Sequence, residues 1–291
     1  MKNWIKTYPK LYSFVQRSYF QFFKRHIFGI TGPIRSLPDF IIIGTVRSGT
    51  TSLYYNICQH ECVLTAAYDE LGFFDSNYHL GLNWYRSMFP TKYEKQKVIQ
   101  KFGKFLTYDV TPWYVRRPWT ANRIKSLLPS VKIIVVLRNP VDRTYSHYHL
   151  TRREKGLTKS FEEIIDEDIQ KINNYDDDLK NSEEYYAELV QNSHIARGFY
   201  LEQLEIWLTI FDKKNILIIS SEDLAENTQK TMNSIFNFLD LENQIIPNLQ
   251  KINVGKYPKM KEETRKTLEN YFFDHNKNLF KKIEKYFNWN K

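Results

Sequence analysis

Phe40-Ile41-Ile42-Ile43-Gly44-Thr45-Val46-Arg47-Ser48-Gly49-Thr50-Thr51 is the stretch from which the fold is read. Four apolar residues, three of them β-branched, follow Pro38-Asp39 and read as a buried parallel strand. A glycine-containing turn comes next, and a helix is predicted from Thr50 to Gln59. Strand, glycine turn and helix start form a phosphate cradle: the first N–H groups of a helix lack intrahelical acceptors, and the helix dipole favours an anion there. Gly49 permits close approach of a phosphate, Thr50 and Thr51 bring hydroxyl donors, and Arg47 brings a forked cation.

The glycine spacing is that of a Walker A loop, with Thr50 where that loop has its lysine and the cation moved upstream to Arg47. That argues against an ordinary magnesium-dependent nucleotide hydrolase. A second apolar strand, Val131–Leu137, ends in Arg138 rather than in the acid that would hold magnesium. Asn139 and Pro140 then suit a helix start, and Ser146, about two turns on, is placed to face Arg138 as a phosphate-binding pair. Asn215–Ser220 is a third such strand. Helical patterns over 118–128, 142–153, 160–170, 195–211 and 227–239 separate the strands. Apolar strands alternating with helices predict an α/β fold: a P-loop-like three-layer sandwich, its central parallel sheet covered by helices on both faces.

The chain has 291 residues, 42% of them apolar, which suits one large domain with a short extension. The boundary is placed after residue 36, and the body spans 37–291. The net charge of +9 implies an anionic partner. Residues 1–36 hold seven Lys or Arg and no acid, interleaved with Trp4, Tyr8, Tyr12, Phe14 and Phe22. This segment reads either as a basic amphipathic helix on an anionic membrane or as a helix packed on the domain's own core. The acidic run over 161–188 reads either as a solvated helix and loop or as a lid. No stretch approaches the roughly 18 apolar residues of a membrane span, and the start has no apolar signal core. Cys58 and Cys62 are expected to be reduced thiols, which places the protein in the cytoplasm, with peripheral membrane contact through 1–36.

The loop at Arg47 and the segment Arg138–Ser146, in this order and roughly 90 residues apart, resemble the 5′-phosphosulfate loop and the 3′-phosphate segment of the sulfotransferases that use 3′-phosphoadenosine 5′-phosphosulfate (PAPS). Tyr68–Asp75 resembles the Lys-Glu-x-His-Phe-Phe-Asp region of the heparan-sulfate branch. Tyr108–Tyr114 is similar to its cleft-lining segment. Gly198–Trp207 and Ser221–Leu224 are similar to its later helix and strand end. Asn253–Pro258, with Met260 and Glu262–Thr264, resembles the loop that closes over the phosphosulfate.

The resemblance implies transfer of a sulfuryl group from PAPS to a hydroxyl or amine of a glycan or glycolipid, leaving adenosine 3′,5′-bisphosphate. It implies no metal and no nucleic-acid partner. Catalytic roles fall on Glu70 as general base and on Arg47 and Lys256 as cations. Donor-binding roles fall on Arg47, Ser48, Gly49, Thr50, Thr51, Arg138, Ser146, Gly255, Lys256 and Tyr257. The sequence departs from the family in three places. Arg47 replaces the loop lysine. Asp69-Glu70-Leu71-Gly72 replaces Lys-Glu-x-His, setting two acids side by side, so that like-charge repulsion raises one carboxyl, and leaving His79 as the nearest reserve base. Neither cysteine lies where the C-terminal disulfide of animal members would form. A P-loop kinase or hydrolase, a non-catalytic basic binding protein and an inactive sulfotransferase fold remain as competing readings.

Overall fold

The computed structural model describes residues 28–175, 185, 189–249, 255 and 257–289. Most of the basic extension, Lys256 and the acidic residues 176–184 lie outside these described residues.

Four strands, β1 (Phe40–Gly44), β2 (Tyr108–Val110), β3 (Lys132–Leu137) and β4 (Ile216–Ser220), form one parallel sheet in the order β2-β1-β3-β4. Side chains alternate across it, and each face has its own core. On one face Ile41, Ile43, Ile133 and Val135 meet α4 (Pro118–Leu127), α7 (Tyr200–Ile210) and the end of α10 (Glu262–Ile283) through Ile124, Leu204, Trp207 and Leu279. On the other, Phe40, Ile42, Ile134 and Val136 meet α1 (Thr50–Ile57) and α9 (Thr228–Phe238) through Leu53, Ile57, Met232 and Phe236. The predicted three-layer α/β sandwich is therefore present. Ile41, Ile42, Ile133 and Ile134 are all fully buried, each contributing about 1.5–3 kcal/mol of transfer free energy.

A smaller core lies beside the sheet, where α5 (Pro140–Lys155), α6 (Phe161–Asn173) and the first half of α10 meet through Val141, Tyr148, Ile164, Ile165, Leu268 and Phe272. Asn139 caps α5 by accepting from Val141 N at 2.9 Å, and Pro140 stands at its first position, as expected. Among the described residues the remaining α-helices are α2 (Leu82–Arg86), α3 (Lys92–Phe102) and α8 (Ser221–Glu226).

Sequence and structure differ in two places. Glu262–Thr264 open the 22-residue helix α10 rather than belonging to the loop before it. The 161–188 run begins as the capped helix α6, in which Ser160 and Glu163 form a reciprocal capping box, and its acidic residues past 175 lie outside the described residues. Where the extension enters the described region it is tied to the body. Arg35 donates from Nη1 to the Phe89 carbonyl (2.7 Å) and from Nε to Thr31 Oγ1 (2.7 Å). Cys58 and Cys62 are both free thiols.

Candidate active site

From β1 the chain crosses to β2 on one side and then returns past β1 to β3 on the other. Open α/β sheets bind ligands beyond the carboxyl ends of their strands at such a reversal. Both sequence-predicted phosphate elements meet there, the loop 45–49 leaving β1 and Arg138 leaving β3.

The loop is held rigid from inside. Thr45 N donates to the Val136 carbonyl (2.8 Å), and so does Thr45 Oγ1 (3.1 Å). With its proton used, Thr45 Oγ1 accepts from Ser48 Oγ at 2.6 Å. Ser48 N also turns inward, to the Thr45 carbonyl (3.2 Å). Both Ser48 donors are thus engaged within the loop, and the residue is fully buried. Gly49 sits at φ 88°, a left-handed N-cap that a residue with a Cβ resists, and delivers the chain into α1. The first turn of α1, from Thr50, then presents N–H groups that the helix itself does not satisfy.

Arg47 also has a left-handed backbone, φ 73°. Such strain in a non-glycine residue persists where the surroundings enforce it, commonly at functional sites. Its Nε donates to the buried Ser146 Oγ (2.9 Å), and its carbonyl accepts from Arg138 Nη1 (3.2 Å). Ser146 and Arg138 therefore both contact Arg47, one at its guanidinium and the other at its carbonyl. Burial pushes the Arg47 guanidinium down from its ordinary value; Arg138 and Arg153 add to this, while Tyr257 opposes it. Cations this close repel one another, and an anion between them relieves that. Arg138 is itself steadied by Tyr200, whose hydroxyl donates to the Arg138 carbonyl (2.9 Å).

The segment after residue 254 reaches the same place. The Tyr257 ring stacks on His149 of α5 (4.5 Å, 5°) and meets Tyr145 edge-on (5.4 Å). Tyr145 in turn donates to the Pro258 carbonyl (3.1 Å). A Cβ at Gly255 would lie 2.2 Å from a Tyr257 ring carbon, so a side chain there would displace the ring. Tyr145 and His149, four apart on α5, carry no motif, but their helical spacing is the signal by which a docking face is found.

Glu70 is fixed at the end of β2, where its N–H donates to the Val110 carbonyl (2.8 Å) and its φ is 57°. The Tyr54 hydroxyl of α1 donates to Asp69, which ties the acid pair to the helix of the phosphate loop. Desolvation first, and then the Asp69 charge, push the Glu70 carboxyl above its ordinary value, although the residue is exposed at the surface. Desolvation is the larger cause, where the sequence pointed to like-charge repulsion. His79 is exposed in the 3-10 turn Tyr78–Leu80.

Within Tyr108–Tyr114, which the sequence marked only as cleft-lining, Asp109 is the buried centre of β2. It accepts from Thr111 Oγ1 (2.9 Å), Tyr85 Oη (3.0 Å) and Tyr114 Oη (3.4 Å), and burial pushes it up to about 6. The same Thr111 and Tyr114 oxygens accept from the backbone N–H groups of Gly72 (3.3 Å) and Phe74 (3.1 Å). One buried carboxylate therefore anchors the loop that carries Glu70.

Comparison with known proteins gives the family. The family described as "Sulfotransferase domain" matches residues 37–291. The membrane-associated sulfotransferase kil1 of Dictyostelium discoideum is 27% identical, over 89% of this chain and 68% of its own length. The bifunctional heparan sulfate N-deacetylase/N-sulfotransferase 2 of Homo sapiens is 27% identical over 86% of this chain, which spans only 30% of that protein. The solved sulfotransferase from Alicyclobacillus acidocaldarius has the same fold, with a TM-score of 0.65 and 23% identity, covering 88% of this chain and 100% of its own.

Proposed function

The chain belongs to the sulfotransferase domain family and is a transferase, and from that premise we propose that it moves a sulfuryl group from PAPS to a hydroxyl or amine of a glycan or glycolipid. The observation that carries this reading is the convergence of Arg47, Arg138, Ser146 and the α1 N-terminus at the β1/β3 reversal. Guanidinium, hydroxyl and backbone N–H donors at one point suit phosphate and sulfate oxygens. In this reading Thr50, Thr51 and the loop amides hold the 5′ side, Arg138 with Ser146 holds the 3′-phosphate, and Gly255, Lys256 and Tyr257 close over the phosphosulfate. Ser48 shapes the loop.

Bound there, the donor supplies an activated sulfuryl group; the acceptor oxygen or nitrogen bonds to sulfur as the sulfur–phosphate oxygen bond breaks. Arg47 and Lys256 neutralise the charge that grows on the departing phosphate, the preorganised electrostatics from which most rate acceleration comes. Glu70 takes the acceptor's proton, and its raised carboxyl makes it a stronger base than an ordinary glutamate. Titration calorimetry with adenosine 3′,5′-bisphosphate, beside ATP with magnesium, tests the donor. Tight bisphosphate and weak ATP binding are expected; a magnesium-dependent preference for ATP would promote the hydrolase reading instead.

The glycan class is supported by the heparan-sulfate relative, and the membrane surface by the seven basic residues of 1–36 and by the relative from Dictyostelium. No helix among the described residues is long and apolar enough to cross a membrane, so peripheral attachment through 1–36 is the form proposed. Each Lys or Arg near an anionic surface contributes about 1 kcal/mol. The full chain should therefore cosediment with phosphatidylserine vesicles and lose this when residues 1–36 are removed. Failure of the full chain to bind such vesicles would end the membrane proposal.

A further inference from the structure

Three arginines and two histidines are packed together beside the proposed site with one carboxylate among them. Arg143 is 1% exposed, His147 8% and His194 6%. Arg116, before α4, and Arg197, before α7, are half-buried and reach the surface. Arg197 Nη1 and His147 Nε2 are 2.6 Å apart, and the His147 and His194 rings lie 4.7 Å apart. Arg143 donates to Thr144 Oγ1 (3.1 Å) and to the His194 carbonyl. Asp168 is the acid; it accepts from His194 N (2.6 Å) and Ile195 N (3.2 Å), and its Oδ2 also lies 3.7 Å from His194 Nδ1. The next cation along, Arg117, has its own partner in Asp75 (3.2 Å).

Arg197 is held at each nitrogen, Nε donating to the Val190 carbonyl (3.0 Å) and Nη2 to the Gln191 carbonyl beside the His147 contact, but the rest of the cluster is short of acceptors. Nε and Nη1 of Arg116, Nε of Arg143, Nδ1 of His147 and both ring nitrogens of His194 are sealed from water without a hydrogen-bond partner. His147 is driven neutral by burial and by Arg197, and its Nε2 accepts from Arg197, so its proton sits on Nδ1 as a further unmet donor. Burial and neighbouring cations push Arg116 and Arg143 down to about 10 and Arg197 to about 8. Buried donors left without acceptors are costly, so such a group of donor atoms suits an anion.

Position identifies its source. His147 follows Ser146, which bonds to Arg47 of the phosphate loop. Arg116 precedes Arg117, which is paired to Asp75 at the end of the segment carrying Glu70. The cluster is thus attached to both halves of the site. We propose that Arg116, Arg143, Arg197, His147 and His194 form a binding site for an oxyanion carried by the acceptor glycan, a carboxylate or sulfate ester on a sugar near the one modified. Arg116 and Arg197 meet it from the surface, and Arg143 with the two imidazoles forms the floor. This rests on the glycan-acceptor reading above.

Arg116→Gln is the informative variant, because in the free protein it removes a cation with unmet donors. Thermal unfolding and binding are measured for the full chain and this variant with four additions. These are none, an unsulfated hexasaccharide alternating glucuronate with N-acetylglucosamine, a neutral hexasaccharide of N-acetylglucosamine, and inorganic sulfate. The variant alone should unfold at or above the parent's temperature. The acidic sugar should bind the parent about tenfold or more tightly than it binds Arg116→Gln, and Arg197→Gln should weaken it similarly, with no such loss for the neutral sugar. A lower unfolding temperature for Arg116→Gln would mean a partner within the chain and would overturn the site. So would equal affinity of parent and variants for the acidic sugar. Stabilisation by sulfate without any effect of the acidic sugar would mean an adventitious ion only, and would overturn it too. A parallel titration with adenosine 3′,5′-bisphosphate reports on the donor reading separately: its failure in the parent would refute that reading, while the sugar arms still decide the anion site.

Discussion

Glu70→Gln is expected to lower kcat by about two to four orders of magnitude while leaving the affinity for adenosine 3′,5′-bisphosphate in place. The substitution keeps the shape of the side chain and removes its capacity to take a proton. The backbone bond from Glu70 N to Val110 and the Asp109 anchor of the loop do not involve the carboxylate, so the site should stay assembled. The pH profile carries a second signature. The active form is the carboxylate, so kcat/KM rises with pH as the free enzyme loses that proton. Because desolvation and then Asp69 raise the Glu70 carboxyl, the inflection belongs above the ordinary 4.5. Asp69→Asn should move it down, and only part of the way, since desolvation is the larger cause. A Glu70→Gln enzyme of undiminished kcat would assign the base elsewhere.

The parts of the fold that were legible in sequence are those where burial writes a pattern. Ile41–Ile43 and Ile133–Leu137 are buried on both sides, and a buried parallel strand has to be apolar throughout. β2 escaped that rule. It has three residues, and its centre is Asp109, a charged type that strand reasoning rejects and that three hydroxyl donors make tolerable. α3 escaped for the opposite reason. It buries none of its residues, so it carries no apolar stripe, although Thr91 and Glu94 form a capping box at its start. α10 shows a stripe at Leu268, Phe272, Leu279 and Ile283, set among charged residues and adjoining a segment read as loop.

The site divides in the same way. Arg47, Gly49 and Arg138 were singled out because strand ends announce them. The Arg47–Ser146 bond was not, because it depends on the left-handed backbone at Arg47, which turns that side chain toward α5. The buried cationic cluster is assembled from three distant segments, and no spacing rule joins Arg116 to Arg143 and Arg197.

Arg138→Ala is the substitution expected to cost the donor site most. Arg138 leaves β3 at the reversal point, half-buried, where the dielectric is lower than in water and a forked cation is worth more to a phosphate. Each hydrogen bond to a charged group contributes about 1.5–3 kcal/mol, so losing a bidentate contact should weaken adenosine 3′,5′-bisphosphate about a hundredfold or more. The fold should tolerate the change. Tyr200 is bonded to the Arg138 carbonyl, which remains in alanine, and the lost Nη1 contact goes to a loop carbonyl of Arg47. Arg138→Lys separates charge from shape: it keeps the point charge and loses the fork, and should fall between parent and alanine. Removing Arg138 also relieves the repulsion that helps to push Arg47 down, so Arg47 stays charged and cannot account for the loss. If Arg138→Ala bound the bisphosphate as tightly as the parent, the 3′-phosphate would have to be held elsewhere. The Arg47–Ser146 bond would then be the first place to look, since Arg47 already contacts the Ser146 that the sequence paired with Arg138.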